Sequence, residues 1–268
     1  MHDLPALRAH LAGLGRALLG YSGGVDSALL AVAGRQALGT DAFLAVIGRS
    51  ASYPEAQWRA ARELAARFGV PLLEVNTAEL DDPAYRANPV NRCFFCKSEL
   101  WRVLGRVADG RGFDVILDGT NADDLREHRP GFAAGQSAAV RSPLAELGWT
   151  KTMVREAAHD LGIPIWDAPA APCLSSRIRY GLEVTPERLR QVELAEEHLR
   201  GLGIAGDLRV RHLGALARVE VSPAELPLAR ARWPEIHARL LELGFTAPEL
   251  DPAGYRRGGL LALASKPE

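Results

Sequence analysis

The chain has 268 residues, enough for one large domain or for a larger and a smaller one. Its 47% hydrophobic content supports a packed core, and a net charge of −1 excludes a broadly basic nucleic-acid surface, although a local basic patch would survive that argument. No apolar run reaches membrane-spanning length and the N-terminus lacks the pattern of a secretory leader, so a cytoplasmic protein with no membrane or nucleic-acid partner is expected.

Leu4, Leu7, Leu11 and Leu14 recur at helical spacing and predict a first helix packed on a sheet. Ala17 to Tyr21 reads as a buried strand, and Ala28 to Ala33 as a helix. Between them, Ser22-Gly23-Gly24-Val25-Asp26-Ser27 breaks the strand at two glycines and opens the helix with Asp and Ser. Such a turn makes an anion site: glycines let the backbone approach closely, and the first helical N–H groups point at the anion. Ser22 and Ser27 add hydroxyl donors, and Asp26 can hold a Mg²⁺ ion that bridges phosphates. The plain alternative is a strand-to-helix turn with Ser and Asp as caps. No Gly-Lys-Ser/Thr follows at the spacing of a Walker A loop.

Phe43 to Ile47 is a second strand candidate. Trp58, Ala61, Leu64, Ala65 and Phe68 then share one helical face that Gly69 ends, and Pro71 to Val75 gives a third strand. Leu100, Val103, Leu104 and Val107 mark a helix before the strand Phe113 to Leu117. Thr150 caps a helix carrying Val154, Ala157, Ala158 and Leu161, and Ile163 to Trp166 is a fifth strand candidate. This alternation predicts a doubly wound parallel sheet with ligands at the carboxyl ends of its strands.

The pattern changes near Gly181, so residues 1–181 are expected to form the α/β domain and 182–268 a smaller α+β domain that contributes to substrate binding and oligomerisation. Thr185-Pro186-Glu187 starts a helix, with a capping hydroxyl, a proline at the first position and an acid in the first turn. Leu208 to Arg211 and Ala217 to Val221 alternate as strands with one wet face. A helix over Trp233 to Leu243 and an extended run after Gly244 complete the unit.

Four groups of residues have the types that chemistry needs. Asp118-Gly119-Thr120-Asn121-Ala122-Asp123-Asp124 follows the fourth strand; Thr120 and Asn121 suit a nucleotide, and Asp123 or Asp124 a metal, although a plain polar turn has the same composition. The three cysteines are too few for a disulfide scaffold, so thiol chemistry or a metal is expected. Cys93 and Cys96 form a CxxC pair able to chelate one metal or one cluster, and Cys173 lies far off in a polar segment with Ser175, Ser176 and Arg177. Zinc prefers a fourth ligand and no histidine lies close in sequence, while buried unrelated thiols remain the plain alternative. Glu196 falls on the apolar stripe of Leu189, Val192 and Leu199, where a carboxylate needs a partner or a task. Arg209 and Arg211 point the same way from one strand and suit a substrate phosphate, although a solvated strand face is an equal alternative on these residues alone.

The hexapeptide Ser22 to Ser27 resembles the PP-loop of N-type ATP pyrophosphatases, which split ATP between its α and β phosphates. Asn91-Arg92-Cys93-Phe94-Phe95-Cys96-Lys97, Pro172-Cys173-Leu174-Ser175-Ser176-Arg177-Ile178 with Tyr180-Gly181, Arg129-Pro130-Gly131, Arg141-Ser142-Pro143-Leu144 and Tyr255-Arg256 extend the likeness over nearly the whole chain. Together they resemble the LarE family, ATP-dependent sulfur transferases that build the nickel-pincer nucleotide cofactor of lactate racemase. The resemblance implies a PP-loop domain followed by a small α+β domain. It also implies adenylation of a carboxylate of pyridinium-3,5-biscarboxylic acid mononucleotide, release of pyrophosphate, and replacement of AMP by sulfur.

It further implies ATP contacts from Ser22, Gly23, Gly24, Asp26, Ser27, Asn121 and Asp124, with Mg²⁺ on Asp26. Catalytic roles fall to Cys173, Ser176, Arg177, Glu196 and Arg256. Members with three cysteines hold a [4Fe-4S] cluster, here on Cys93, Cys96 and Cys173, whereas others sacrifice the sulfur of one cysteine, matching Cys173. A sulfide donor, transient contact with other cofactor-biosynthesis enzymes and a homo-oligomer complete the expectation. Two departures bear on substrate detail: Gly131 to Gln136 lacks charged residues, and the position near Leu228 where some members have an acid has none. A PP-loop tRNA thiolase would want a basic face or an RNA-binding module, and a non-catalytic ATP-binding module would leave Glu196 and the Ser175-Ser176-Arg177 segment without a role.

Overall fold

The structure is a computed structural model that describes residues 2–126, 130–169, 172–256 and 258–260. It divides into two compact units: residues 1–79 with 91–171, and residues 80–90 with 172–268. No helix among the described residues is long and apolar enough to cross a membrane.

In the first unit the chain runs α1 (Leu4–Ala12), β1 (Ala17–Gly20), α2 (Val25–Leu38), β2 (Phe43–Arg49), α3 (Glu55–Arg67) and β3 (Leu72–Asn76). After the short α4 (Pro83–Arg86), which belongs to the second unit, it continues through α5 (Arg92–Arg111), β4 (Val115–Leu117), α6 (Pro130–Ser137), α7 (Pro143–Glu146) and α8 (Lys151–Asp160). The strands order β3-β2-β1-β4, and every pairing is parallel. Side chains alternate along a strand, so the two central strands feed two cores. Ala17, Leu19, Phe43, Ala45 and Ile47 pack with α1, α2 and α8, whereas Leu18, Leu44 and Val46 pack with Trp101, Leu104 and Ala108 of α5. This is the expected doubly wound PP-loop fold.

The fifth strand expected at Ile163 to Trp166 does not form. Ile163 N–H donates to the Ala158 carbonyl at 2.9 Å and Trp166 N–H to the Ile163 carbonyl at 3.2 Å. The backbone groups are used locally in a turn after α8, and Pro164 has no N–H to offer a ladder.

The second unit adds α9 (Pro186–Gly201), β5 (Leu208–His212), β6 (Leu216–Val221), α10 (Leu226–Ala231), α11 (Trp233–Glu242) and β7 (Ala247–Leu250). β5 pairs antiparallel and β7 parallel with the central β6. Val210, Val219 and Val221 meet Ala195, Leu199, Ile236 and Leu240 in one core. Thr185 Oγ1 accepts from Arg188 N–H at 3.3 Å, the cap expected from the sequence.

Two features differ from the sequence reading. Residues 172–181 and 80–90 go with the small unit, because Tyr85 and Asn88 bond into the segment after Cys173. β5 has no wet face: all five of its residues are buried, its arginines among them.

His212 closes β5 as a neutral imidazole. Its Nδ1 accepts from Gly214 N–H at 3.3 Å, so Nε2 carries the proton and donates to Gln191 Oε1 at 3.0 Å. Burial, then the Arg188 charge, push its pKa down to about 4. The unfolded chain takes up this proton near pH ~6.5 and the folded chain only near its lowered value. The stabilising contribution is therefore complete above pH ~6.5 and drains away as pH falls toward that of the folded imidazole. Urea unfolding across this window should show His212→Asn with a flatter stability–pH curve than the natural chain; identical slopes would refute the assignment.

Candidate active site

In the sheet order, β1 is followed on one side by β2 and β3 and on the other by β4, so the topological switch lies between β1 and β4. Ligands of open α/β sheets bind outside the carboxyl ends of the strands at that switch. Ser22 to Ser27 leaves β1 there, and Asp118 to Asp124 leaves β4.

The first loop is closed by its own hydroxyls. Ser27 Oγ donates to the Gly24 carbonyl at 2.9 Å and accepts from Ser22 N–H at 3.2 Å, with Ser22 Oγ 3.1 Å away. Gly24 caps α2 without a side chain, leaving the mouth of the helix open to an anion. Gly23 has φ +71°, and a Cβ there would lie 2.7 Å from Ala61 Cβ. Gly119 lets the second loop approach the first, since a Cβ on it would lie 2.9 Å from Ser27 N. Tyr53 Oη and Gln57 Nε2 both donate to the Ser22 carbonyl at 2.9 Å. Burial raises the pKa of the Tyr53 phenol far above its usual value, which keeps it a donor.

The second loop holds Asp26. Asn121 Nδ2 donates to Asp26 Oδ1 at 3.0 Å, and Lys151 Nζ forms an ion pair with Asp26 Oδ2. Lys151 is the first residue of α8, and its backbone N–H donates to Asp123 Oδ2 at 2.8 Å. Asp124 accepts from Asn121 N–H at 3.2 Å, and Asp118 accepts from Thr120 Oγ1 at 2.8 Å and Ser142 Oγ at 2.7 Å. Asp26 thus stands between two donors, and a metal ion would take the place of the ammonium.

Cys93 and Cys96 lie at the start of α5, three residues apart and so on one face; Cys93 is exposed and Cys96 half-buried. Two thiols at this spacing can ligate one metal ion or one cluster. Among the described residues no group of three His, Cys, Asp or Glu side chains forms a ready metal site. Gly131 of α6 packs on this turn, where a Cβ would lie 3.1 Å from Lys97 Cγ, and Ala134 is buried. Arg129 lies outside the described residues.

In the second unit a chain of charged side chains leads to the backbone of Cys173. Arg177 makes a two-pronged bond to Glu196, Nε to Oε1 and Nη2 to Oε2 at 3.0 Å each. Its Nη1 donates to the carbonyls of Pro172 and Cys173, and Ser176 Oγ donates to the Cys173 carbonyl at 2.7 Å. Glu196 also accepts from Val210 N–H at 3.0 Å, so the carboxylate on the apolar stripe has partners. Arg211 pairs with Glu220 at 2.8 Å and donates to the Ser176 carbonyl at 3.0 Å. Arg209 lies over the Tyr255 ring at 5.0 Å; burial, then the Arg177 charge, lower its pKa, which marks a site that favours an anion. Arg256 is exposed and its guanidinium lies 3.7 Å from Asp251.

A family model described as NAD synthase matches residues 8–89. The chain is 32% identical over 252 residues to the pyridinium-3,5-bisthiocarboxylic acid mononucleotide synthase of Lactiplantibacillus plantarum, covering 94% of this chain and 91% of that protein. It belongs to the LarE family, within the PP-loop superfamily. An uncharacterised protein of Synechocystis is 42% identical over 98% of both chains. A glutamine-hydrolysing GMP synthase chain of Archaeoglobus fulgidus is 25% identical over 73% of this chain and 74% of its own length.

Sequence reading of this LarE-family chain missed Lys151, Glu220, Tyr53 and Gln57. Lys151 had one signal, its place directly after a capping threonine; the others had none, because their partners are far off in the chain. Gly23→Ala should destabilise the protein by about 1–3 kcal/mol, through positive φ and overpacking against Ala61. Gly24→Ala, at φ −79° with its nearest neighbour Ser22 Oγ 3.6 Å off, should keep its melting temperature and lose ATP-induced stabilisation. Thermal unfolding with and without ATP separates the two, and an equally stable Gly23→Ala would contradict the geometry.

Proposed function

We propose that this chain is an ATP-dependent sulfur transferase that adenylates a carboxylate of pyridinium-3,5-biscarboxylic acid mononucleotide and replaces AMP by sulfur, in nickel-pincer nucleotide cofactor biosynthesis and so in lactate racemase maturation. The observation that carries the reading is Asp26, held ready by Lys151 and Asn121 beside an open helix mouth. The name of the L. plantarum relative supports the substrate class.

A carboxylate is a poor acyl donor until a good leaving group is attached. Its oxygen attacks the α-phosphorus of ATP, the α–β bridge bond breaks, and pyrophosphate leaves with its electron pair. The N–H groups opening α2, with Ser22, Ser27 and the Gly23-Gly24 backbone, hold the phosphates. Asp26 would hold a Mg²⁺ ion, which would offset phosphate charge, and the Lys151 ammonium now paired with Asp26 would then be available to a phosphate oxygen. Asn121 and Asp124 shape the nucleotide side of the crevice. Sulfur then attacks the acyl carbon, the C–O bond to AMP breaks, and a thiocarboxylate remains.

Arg209 and Arg211 receive the phosphate of the mononucleotide. Burial disfavours the charge of Arg209, so an incoming phosphate stabilises it, and Arg211 adds a second guanidinium from the same strand. Ser176 and Arg177 fix the Cys173 backbone, Glu196 orients Arg177, and Arg256 meets the substrate from the C-terminal segment. Cys93, Cys96 and Cys173 are the cluster ligands in this reading. A [4Fe-4S] cluster, held by these three thiolates, would supply the transferable sulfide. The protein works in the cytoplasm as a homo-oligomer, with a sulfide donor and transient contacts to other enzymes of the same biosynthesis.

Pyrophosphate release should depend on both ATP and the dicarboxylated mononucleotide; release with ATP alone, or none with both present, contradicts the reading. Lys151→Met should weaken ATP about tenfold, the loss of a charge-assisted bond worth ~1.4 kcal/mol, with the circular-dichroism spectrum unchanged. Protein purified without oxygen should hold iron and acid-labile sulfide, lost alike in Cys93→Ala, Cys96→Ala and Cys173→Ala. Absence of iron, with Cys173 converted to dehydroalanine after turnover, would replace the cluster by a sacrificial sulfur.

A further inference from the structure

The loop that carries Cys173 is laid on a segment ninety residues earlier in the chain. Cys173 directly precedes a single 3-10 turn, Leu174–Arg177, so its backbone is held by that turn. One side of the turn is fixed by its own residues, since the Cys173 carbonyl accepts from Ser176 N–H at 3.0 Å, Ser176 Oγ and Arg177 Nη1. The other side is fixed from α4. Tyr85 is 1% exposed and Ser175 0%, and their hydroxyls lie 2.6 Å apart.

The rest of the same segment anchors the way out of the loop. Asn88, fully buried at φ +53°, donates Nδ2 to the carbonyls of Ile178 at 3.3 Å, Arg179 at 2.8 Å and Leu182 at 2.9 Å. Gly181 N–H returns a bond to the Asn88 carbonyl at 3.0 Å, and Val184 N–H donates to the Arg86 carbonyl at 2.9 Å. Residues 85–88 are thus the bed of residues 175–184. Neither Tyr85 nor Ser175 is exposed to meet a substrate, so the short hydroxyl pair bears on Cys173 through the turn.

We propose that Tyr85 is a positioning residue for sulfur transfer: its phenol, through the Ser175 hydroxyl, sets the turn that aims the Cys173 thiol. This rests on the sulfur-transfer reading above. Misplacing a reacting group by about 1 Å can cost ~100-fold in rate, so loss of one hydroxyl under the loop is enough to register.

Tyr85→Phe keeps the ring and removes only the hydroxyl. Three readouts are taken on the full chain: substrate-dependent pyrophosphate release, thiocarboxylate formation, and the rate of Cys173 alkylation by iodoacetamide in protein without iron, followed on the isolated peptide. The expected result is pyrophosphate release within about twofold of the natural chain, thiocarboxylate formation down about tenfold, and an alkylation rate changed about threefold or more. Ser175→Ala should reproduce this, and the double variant should be no worse than either single one, because both remove one link. An unchanged alkylation rate in Tyr85→Phe overturns the proposal, as does an equal fall of both reaction steps with a lowered melting temperature. If the natural chain forms no thiocarboxylate while alkylation still depends on Tyr85, the sulfur-transfer reading fails and the positioning role stands.

Discussion

The second unit depends on one buried ion pair, Arg177 with Glu196. The Arg177 side chain is 6% exposed and that of Glu196 15%, so water solvates little of either charge. Removing one member of such a pair costs about 3–5 kcal/mol, because the other is left buried and alone. Here the same guanidinium also takes the carbonyls of Pro172 and Cys173, and the same carboxylate takes the N–H of Val210 in β5. The pair therefore ties α9, β5 and the cysteine loop together. A neutral substitute of equal volume could fill the space, but it could not hold three elements in one register.

The first unit solves a similar problem with an exchangeable cation. Asp26 stands at the opening of α2, where the helix dipole already favours negative charge, and Lys151 completes its neutralisation from the opening of α8. An ammonium on a flexible stem can leave, whereas a planar two-pronged guanidinium is held more firmly. The contrast between Lys151 and Arg177 matches what each place is asked to do. In the function proposed above, one makes room for a metal ion and phosphates, and the other keeps a backbone still.

Much of this is legible along the chain. The periodicities of α2, α3 and α9 and the caps at Thr150 and Thr185 follow from neighbours within a few residues, and the glycine turn after β1 carries its own geometry. The strand expected at Ile163 to Trp166 fails for an equally local reason, since α8 leaves in a turn that uses those N–H groups. β5 reads as half-wet because arginines alternate with apolar residues, yet Glu220, opposite Arg209 in the β5–β6 register and bonded to Arg211, lets that face be buried.

By itself, then, the sequence determined the two kinds of domain, the phosphate loop, the CxxC pair and the residues around Cys173, all of them features of short spacing. Tertiary structure alone decided that Lys151 meets Asp26, that Glu220 neutralises Arg211, and that residues 80–90 belong to the small unit and support its cysteine loop. Such pairs bring together residues from 9 to 125 positions apart in the chain. Their identity depends on strand register and on which helix mouth faces which loop. Spacing along a single chain holds no record of either.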